Sequence, residues 1–422
     1  MSERAAESES VSEQPESPGS PTDGVTPLLA PQDGLPPVVE SAEALDQATD
    51  AFAAGTGPVA VDAERASGYR YSGRAYLVQL RRAGSGSALV DPIACPDLTK
   101  LDEVLAPAEW VLHAATQDLP CLAELGLRPR TLFDTELAGR LLSLPKVGLG
   151  AMVEDVLGYR LEKGHAAADW STRPLPEPWL VYAALDVELL VELRDILHQR
   201  LIEAGKLEWA LEEFAALIDQ PARPPRPDPW RRTSGIHRVR SRRELAFVRE
   251  LWNARDKLAR RRDIAPGRVL PDQAIVAAAL DRPPTRRRLE ALPQFATRGS
   301  QRNLSVWWGA VQRAAGLADS ALPEPSVPYD GPPPARSWAD KDPQAAARLT
   351  VCRNTLNTIA EDHRLPVENL LAPDTLRRVI WELPEPLTSE RIAEELRNRG
   401  AREWQITLVA TPLTDALAEP EQ

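Results

Sequence analysis

The chain has 422 residues, 43% hydrophobic and 27% charged, enough to bury ordinary cores and too long for one small domain. Fifty basic against 62 acidic side chains leave a net charge of −12, an average that argues against a generic polyanion binder. Three cysteines, Cys95, Cys121 and Cys352, are too few and too scattered for a disulfide framework or a cysteine zinc site.

The N-terminus lacks the basic start and apolar run of a secretory signal, and no apolar run is long enough to span a bilayer, so a soluble cytoplasmic protein with no membrane partner is expected. Residues 1–40 are rich in Ser, Pro and Glu, with eight acidic residues against one basic, and read as a disordered tail. In 41–219, short β-prone runs at 58–63, 74–80, 87–90 and 110–114 precede or alternate with helical spacings at 117–127, 133–142, 148–158 and 176–205, an α/β pattern. Proline-rich segments at 220–234 and 321–335 read as stiff linkers, because proline lacks the backbone donor and disfavours helix in the residue before it.

Between the linkers, residues 235–320 lose strand signals and show helical spacing at 242–262 and 274–280; residues 336–412 form a further helical region. Setting the segment from Leu258 beside that from Ile359 matches Leu258 with Ile359, Ile264 with Leu365 and Leu270 with Leu371 at an offset of 101, which predicts duplicated helical modules. Charge by segment departs from the average: residues 221–320 carry 22 basic and nine acidic side chains, against −12 for 41–220 and −6 for 321–422. A basic helical module among acidic neighbours is what a phosphate-backbone contact surface needs, although a solvated helical face is the plainer reading of such a run.

Three segments carry acids in informative places. In VAVDAERASGYRYSGRAYLVQL, Asp62 and Glu64 lie two apart on a strand and project from one face, where a divalent cation would relieve their repulsion. In WVLHAATQDLPCLAEL, Asp118 falls at a helix start, where capping alone would explain it, and His113 at the strand end reads as a packed histidine. In PWLVYAALDVELLVELRDIL, Tyr182 and Asp186 are four apart on one helix face and can address one point. Four carboxylates and a phenol in an α/β domain suit two divalent ions and in-line phosphoryl transfer to water.

VDAE, HAATQDL and YAALDV resemble the three motifs of the DEDD exonucleases, in the subgroup with tyrosine four residues before the last aspartate, and most closely the ribonuclease D family. GLGAMVEDVLGYRLEKGHAAADWSTRPL is similar to that family's intervening segment, including Lys163, Asp169, Trp170 and Arg173-Pro174-Leu175. The resemblance implies an α/β ribonuclease-H-like exonuclease domain, a mixed sheet flanked by helices, followed by all-α HRDC-type helical domains. It implies two divalent ions, Mg2+ or Mn2+: Asp62 bridging both, Glu64 and Asp186 completing one site, Asp118 holding the second directly or through water, and Tyr182 orienting the attacking water. Asp134 matches an acid read as structural, an N-cap for its helix.

The segment SRRELAFVRELWNARDKLARRRDIAPGRVLPDQAIVAAAL resembles the HRDC domain, and 336–411 resembles the extra helical domain of some ribonuclease D relatives. Arg242, Arg243, Arg260, Arg261, Arg262, Arg286, Arg287 and Arg288 are then candidate phosphate contacts, while Trp307-Trp308 reads as a helix-core pair before a stacking surface. The resulting expectation is a metal-dependent 3′–5′ exoribonuclease acting on single-stranded RNA 3′ ends, tRNA precursors among them. Alternatives are a DNA exonuclease of the same superfamily, since the metal site ignores the sugar, and an inactive nucleic-acid-binding adaptor, against which the complete five-residue set argues.

Overall fold

The computed structural model describes residues 24–162, 164–220, 226–326 and 331–418. Its strands are β1 (Thr26–Leu28), β2 (Val38–Val39), β3 (Thr56–Arg65), β4 (Ala75–Ala83), β5 (Gly86–Val90), β6 (Glu109–Leu112), β7 (Thr131–Asp134) and β8 (Tyr159–Leu161). Six of them form a mixed sheet in the order β2-β5-β4-β3-β6-β7: β4 runs antiparallel to β3 and β5, while β6 and β7 run parallel to β3. Strand alternation on β3 divides its side chains between two layers. Val59, Val61 and Ala63 join a core that holds Phe52, Leu101, Trp110 and Phe133, while Ala60 meets Val187 and Leu190 on the opposite face. Helices therefore cover both faces.

Several elements depart from the sequence expectation. Residues 26–28 and 38–39, assigned above to a tail, pair with β8 and β5 respectively; strands this short carry no period-2 signal and exist because a partner edge is present. Residues 1–23 of that tail, and Lys163, lie outside the described residues. The helical spacing at 133–142 hides β7, which ends at Asp134, so the helix is only Thr135–Leu141. The 176–205 pattern is two helices, Glu177–Glu188 and Leu190–Glu203, separated at Leu189, whose backbone leaves helical geometry (φ −111°, ψ 12°).

Beyond the sheet the chain is helical. The Arg242–Arg262 helix opens on a capping box, with the Ser241 hydroxyl accepting from Glu244 and the Glu244 carboxylate accepting from Ser241. The duplication at 101 is present in the backbone. Pro266–Val269 corresponds to the Val367–Leu370 helix, Asp272–Asp281 to Pro373–Trp381, and left-handed Asp263 (φ 48°) to left-handed Arg364 (φ 50°). The first module has its own core, which includes Trp230, Leu251 and Trp307. The second shares one continuous core with the α/β domain, Trp338, Leu349 and Leu413 joining Leu201 and Phe214.

Both modules dock through the equivalent corner. The Asp263 carboxylate accepts from the amides of Tyr71 (3.2 Å) and Ser72 (2.9 Å) in the β3–β4 loop. The Arg364 carbonyl accepts from Lys206 Nζ (3.0 Å) and the Ser143 hydroxyl. The three cysteines are free and buried, and no described helix is long and apolar enough to cross a membrane.

Candidate active site

β3 presents Asp62 and Glu64 to the face covered by the Glu177–Glu188 helix, which returns Tyr182 and Asp186 from adjacent turns. The small, fully buried Ala183 and Ala184 pack with Leu77 and Trp170 and let that helix lie close on the sheet. One carboxylate oxygen each from Asp62, Glu64 and Asp186 falls within 4.8 Å of the others. Tyr182 lies beside them, its ring near Trp170 (6.5 Å) and His165 (6.1 Å).

The electrostatics of this cluster are those of acids whose burial outweighs the counter-charge near them. Burial pushes Asp62 up to about 6, although the Ala63 amide and Arg65 favour its charged form. Burial, with Asp62, Asp186 and Asp118 nearby, pushes Glu64 up to about 10. Asp186 is held well above the carboxylate range by burial and by Asp62, only partly offset by hydrogen bonding from Tyr182. Burial also raises the Tyr182 hydroxyl, keeping it protonated. Clustered, desolvated carboxylates with no sulfur or imidazole among them suit a hard divalent cation, which would favour their ionised forms.

Asp118 stands outside this three-carboxylate group but within the electrostatic reach of Asp62. It occupies the N-cap position of Leu119–Glu124 but makes no capping bond; its carboxylate instead faces the Arg65 guanidinium at 3.4 Å. Burial and Asp62 push it up to about 8. Capping therefore does not account for Asp118. Asp134 does act as a cap, accepting from Leu137 (3.1 Å), and it also accepts from the amides of Ala114 (3.2 Å) and Ala115 (2.8 Å). It thus pins the left-handed turn at Ala114 that leads into Asp118. His113 contacts the Thr135 hydroxyl (2.9 Å), and burial pushes it down to about 4, so it is a packed neutral histidine.

Two polar residues beside the acids escape sequence reading. Arg65 follows the D-x-E pair directly. Gln79 stands opposite Asp62 in the β3–β4 register, fully buried, with neither amide atom hydrogen-bonded within the protein. No periodicity announces it, because the register is set only in three dimensions. The segment quoted for its resemblance forms a wall: Arg173 binds both Asp91 oxygens (2.7 and 2.9 Å) and the Tyr76 carbonyl, and Trp170 is fully buried. Tyr182 and Asp186 open onto a cleft of about 1000 Å3 that Leu149, Glu162 and Ala166 also line.

The candidate phosphate contacts divide. Arg242 is held by the Leu322 and Pro323 carbonyls and Glu324, and Arg243 by the Leu317 carbonyl (2.7 Å) and Asp319. Arg260 bonds the Tyr71 hydroxyl and Asp256, Arg262 the Asn303 side chain, and Arg288 pairs with Asp281. Arg261, Arg286 and Arg287 are exposed. Trp307 is fully buried, its indole donating to the Ser300 carbonyl (3.1 Å), the core role expected of it.

Comparison with known proteins matches these parts in order. A 3′-5′ exonuclease family model covers residues 37–202, the HRDC domain model 244–311, and a 3′ to 5′ exonuclease C-terminal domain model 331–417. Ribonuclease D of Gluconacetobacter diazotrophicus is 32% identical over 343 residues, 78% of this chain and 82% of the relative. The chain belongs to the ribonuclease D family. Ribonuclease D of Acidiphilium cryptum is 32% identical, covering 71% of this chain and 78% of the relative. A crystal structure of a protein from Bifidobacterium adolescentis superposes with a TM-score of 0.87 at 37% identity, over 94% of this chain and all of that one. That of Escherichia coli RNase D, described as an exoribonuclease involved in structured RNA processing, gives 0.64 at 25% identity, over 86% and 97% of the two chains. As a ribonuclease D, the protein is a 3′–5′ exoribonuclease, with the mixed-sheet exonuclease fold and HRDC region expected from its motifs.

Proposed function

We propose that this ribonuclease D trims single-stranded RNA 3′ ends in the cytoplasm by a two-ion hydrolysis, with tRNA precursors among its substrates. The observation that carries this reading is the convergence of Asp62, Glu64 and Asp186 within 4.8 Å, with buried Asp118 beyond them. Asp62, Glu64 and Asp186 would hold one Mg2+ or Mn2+, and Asp62 with Asp118 a second. Bound there, the ions would favour loss of a proton from a water, so that it attacks as hydroxide, and would supply a counter-charge for the leaving oxygen.

The protein's own groups do the rest. The protonated Tyr182 hydroxyl, its proton directed at Asp186, accepts a hydrogen bond from the attacking water and so orients it. The half-buried Tyr182 ring, backed by the fully buried Trp170, gives the terminal nucleotide an aromatic surface in the cleft. Exonuclease chemistry is assigned to 41–219, and strand holding to the basic module at 235–320, through Arg261, Arg286 and Arg287. Arg242, Arg243, Arg260, Arg262 and Arg288, already engaged within the protein, contribute mainly to its field; the acidic module at 336–412 is a brace. Parallel digestion of a 3′-extended tRNA, a generic single-stranded RNA and a DNA copy tests the substrate assignment. Preference for the first supports it, and equal or faster digestion of the DNA contradicts it.

A further inference from the structure

Arg65 closes β3 directly after Asp62 and Glu64. Strand alternation alone would send its side chain to the face opposite theirs. Between Glu64, opposite Leu77, and Arg65, opposite Ala75, the register slips and leaves Tyr76 as an extra residue. Such a bulge bends a strand end and re-aims its side chains, and here the guanidinium lies 3.4 Å from Asp118. Its side chain remains 30% exposed and that of Asp118 8%. Asp118 itself stands outside the three-carboxylate group. The site is therefore asymmetric: the Glu64–Asp186 arm is a cluster of acids, and the Asp118 arm already holds a cation. The field of Arg65 reaches Asp62, Glu64 and Asp118 alike, favouring the charged form of each against the burial that opposes it.

We propose that Arg65 is the resident counter-ion of the Asp118 arm, holding that carboxylate aimed until a second divalent ion displaces the guanidinium. Arg65 thereby sets the metal concentration at which the second position fills, making it weaker than the first. The inference rests on the two-ion reading above. Arg65 is a positioning residue for Asp118, and its guanidinium and a second ion would compete for that carboxylate.

Mn2+ titration of the metal-free full-length chain, with free Mn2+ followed by electron paramagnetic resonance, tests this without turnover. Wild type should take up two ions in a stronger and a weaker step, and Asp118→Asn should lose the weaker. Arg65→Gln should tighten the weaker step by roughly tenfold, the scale of one charge-assisted pair, and should tighten the stronger step by less, since only Asp118 pairs with it directly. Arg65→Met, which keeps the aliphatic stem, is read in the same way. An unchanged weaker step in both variants overturns the proposal while leaving two ions standing. Loss of both steps in both variants also overturns it, because Arg65 would then build the site and not compete for it. A single ion in wild type and in both variants overturns the two-ion reading and the proposal with it.

Discussion

Asp62, Glu64 and Asp186 are acids that folding brings together at an electrostatic cost, so each resists ionising until a cation arrives. Asp62→Asn or Asp186→Asn should lower kcat by about 100-fold or more, in the range seen when a transition-state stabiliser is removed. RNA affinity in a filter-binding assay should stay near wild type. His113 gives a pH prediction. Burial holds its folded value near 4 against an ordinary 6.5, so the neutral form is favoured in the fold. Stability is full above 6.5 and falls as pH drops toward 4, because only the unfolded chain takes the proton readily; at pH 5 the loss is about 1–2 kcal/mol. In urea melts at pH 7 and pH 5, His113→Gln should narrow the difference between the two midpoints. At this scale the D-x-E pair and the Tyr182–Asp186 pair were legible, since strand and helix periods put each pair on one face. Asp118 was legible only through the resemblance, a lone acid at a helix start having a sufficient explanation in capping.

At the scale of elements, the site depends on a turn. Asp134 ends β7, caps Thr135–Leu141 and fixes the Ala114–Ala115 amides ahead of Asp118. Asp134→Ala leaves those buried amides unpaired, so a loss of about 2–3 kcal/mol is expected in denaturant unfolding. Turnover should fall with it as Asp118 loses its placement; unchanged stability would mean that water replaces the carboxylate. β3, β4 and β5 could be read from alternation or apolar runs. β1, β2 and β8 could not, because two- or three-residue strands are created by their partners. Arg65 escaped for a related reason: its aim follows from a slip in pairing between β3 and β4, and pairing is not written in either strand alone. The helical modules were legible down to their duplication, where Asp263 and Arg364 repeat one left-handed corner.

On the scale of the molecule, those two corners clamp the α/β domain, and the β3–β4 loop joins the first of them to the strand that carries the acids. Asp263→Ala should detach the basic module from this loop, where Arg268 also bonds the Gly68 carbonyl (2.7 Å). Michaelis constants should then rise for long RNA and hold for a trinucleotide too short to reach the module; an equal rise for both would place the effect in the active site. Reversing Arg261, Arg286 and Arg287 to glutamate should weaken binding and flatten its salt dependence, by roughly one unit of slope per lost phosphate contact. The acidic C-terminal module shares its core with the nuclease, with Trp404 stacked on Trp209 at 4.9 Å. Removing residues 331–418 should therefore expose apolar surface and cause aggregation, measured by light scattering. The most direct trial of the whole account is digestion of a 5′-labelled single-stranded RNA by wild type with Mg2+, wild type with chelator, and Asp62→Asn with Mg2+. A ladder shortening from the 3′ end is expected in the first reaction and intact RNA in the other two. A ladder of equal intensity from Asp62→Asn, or from the chelated wild type, would contradict it.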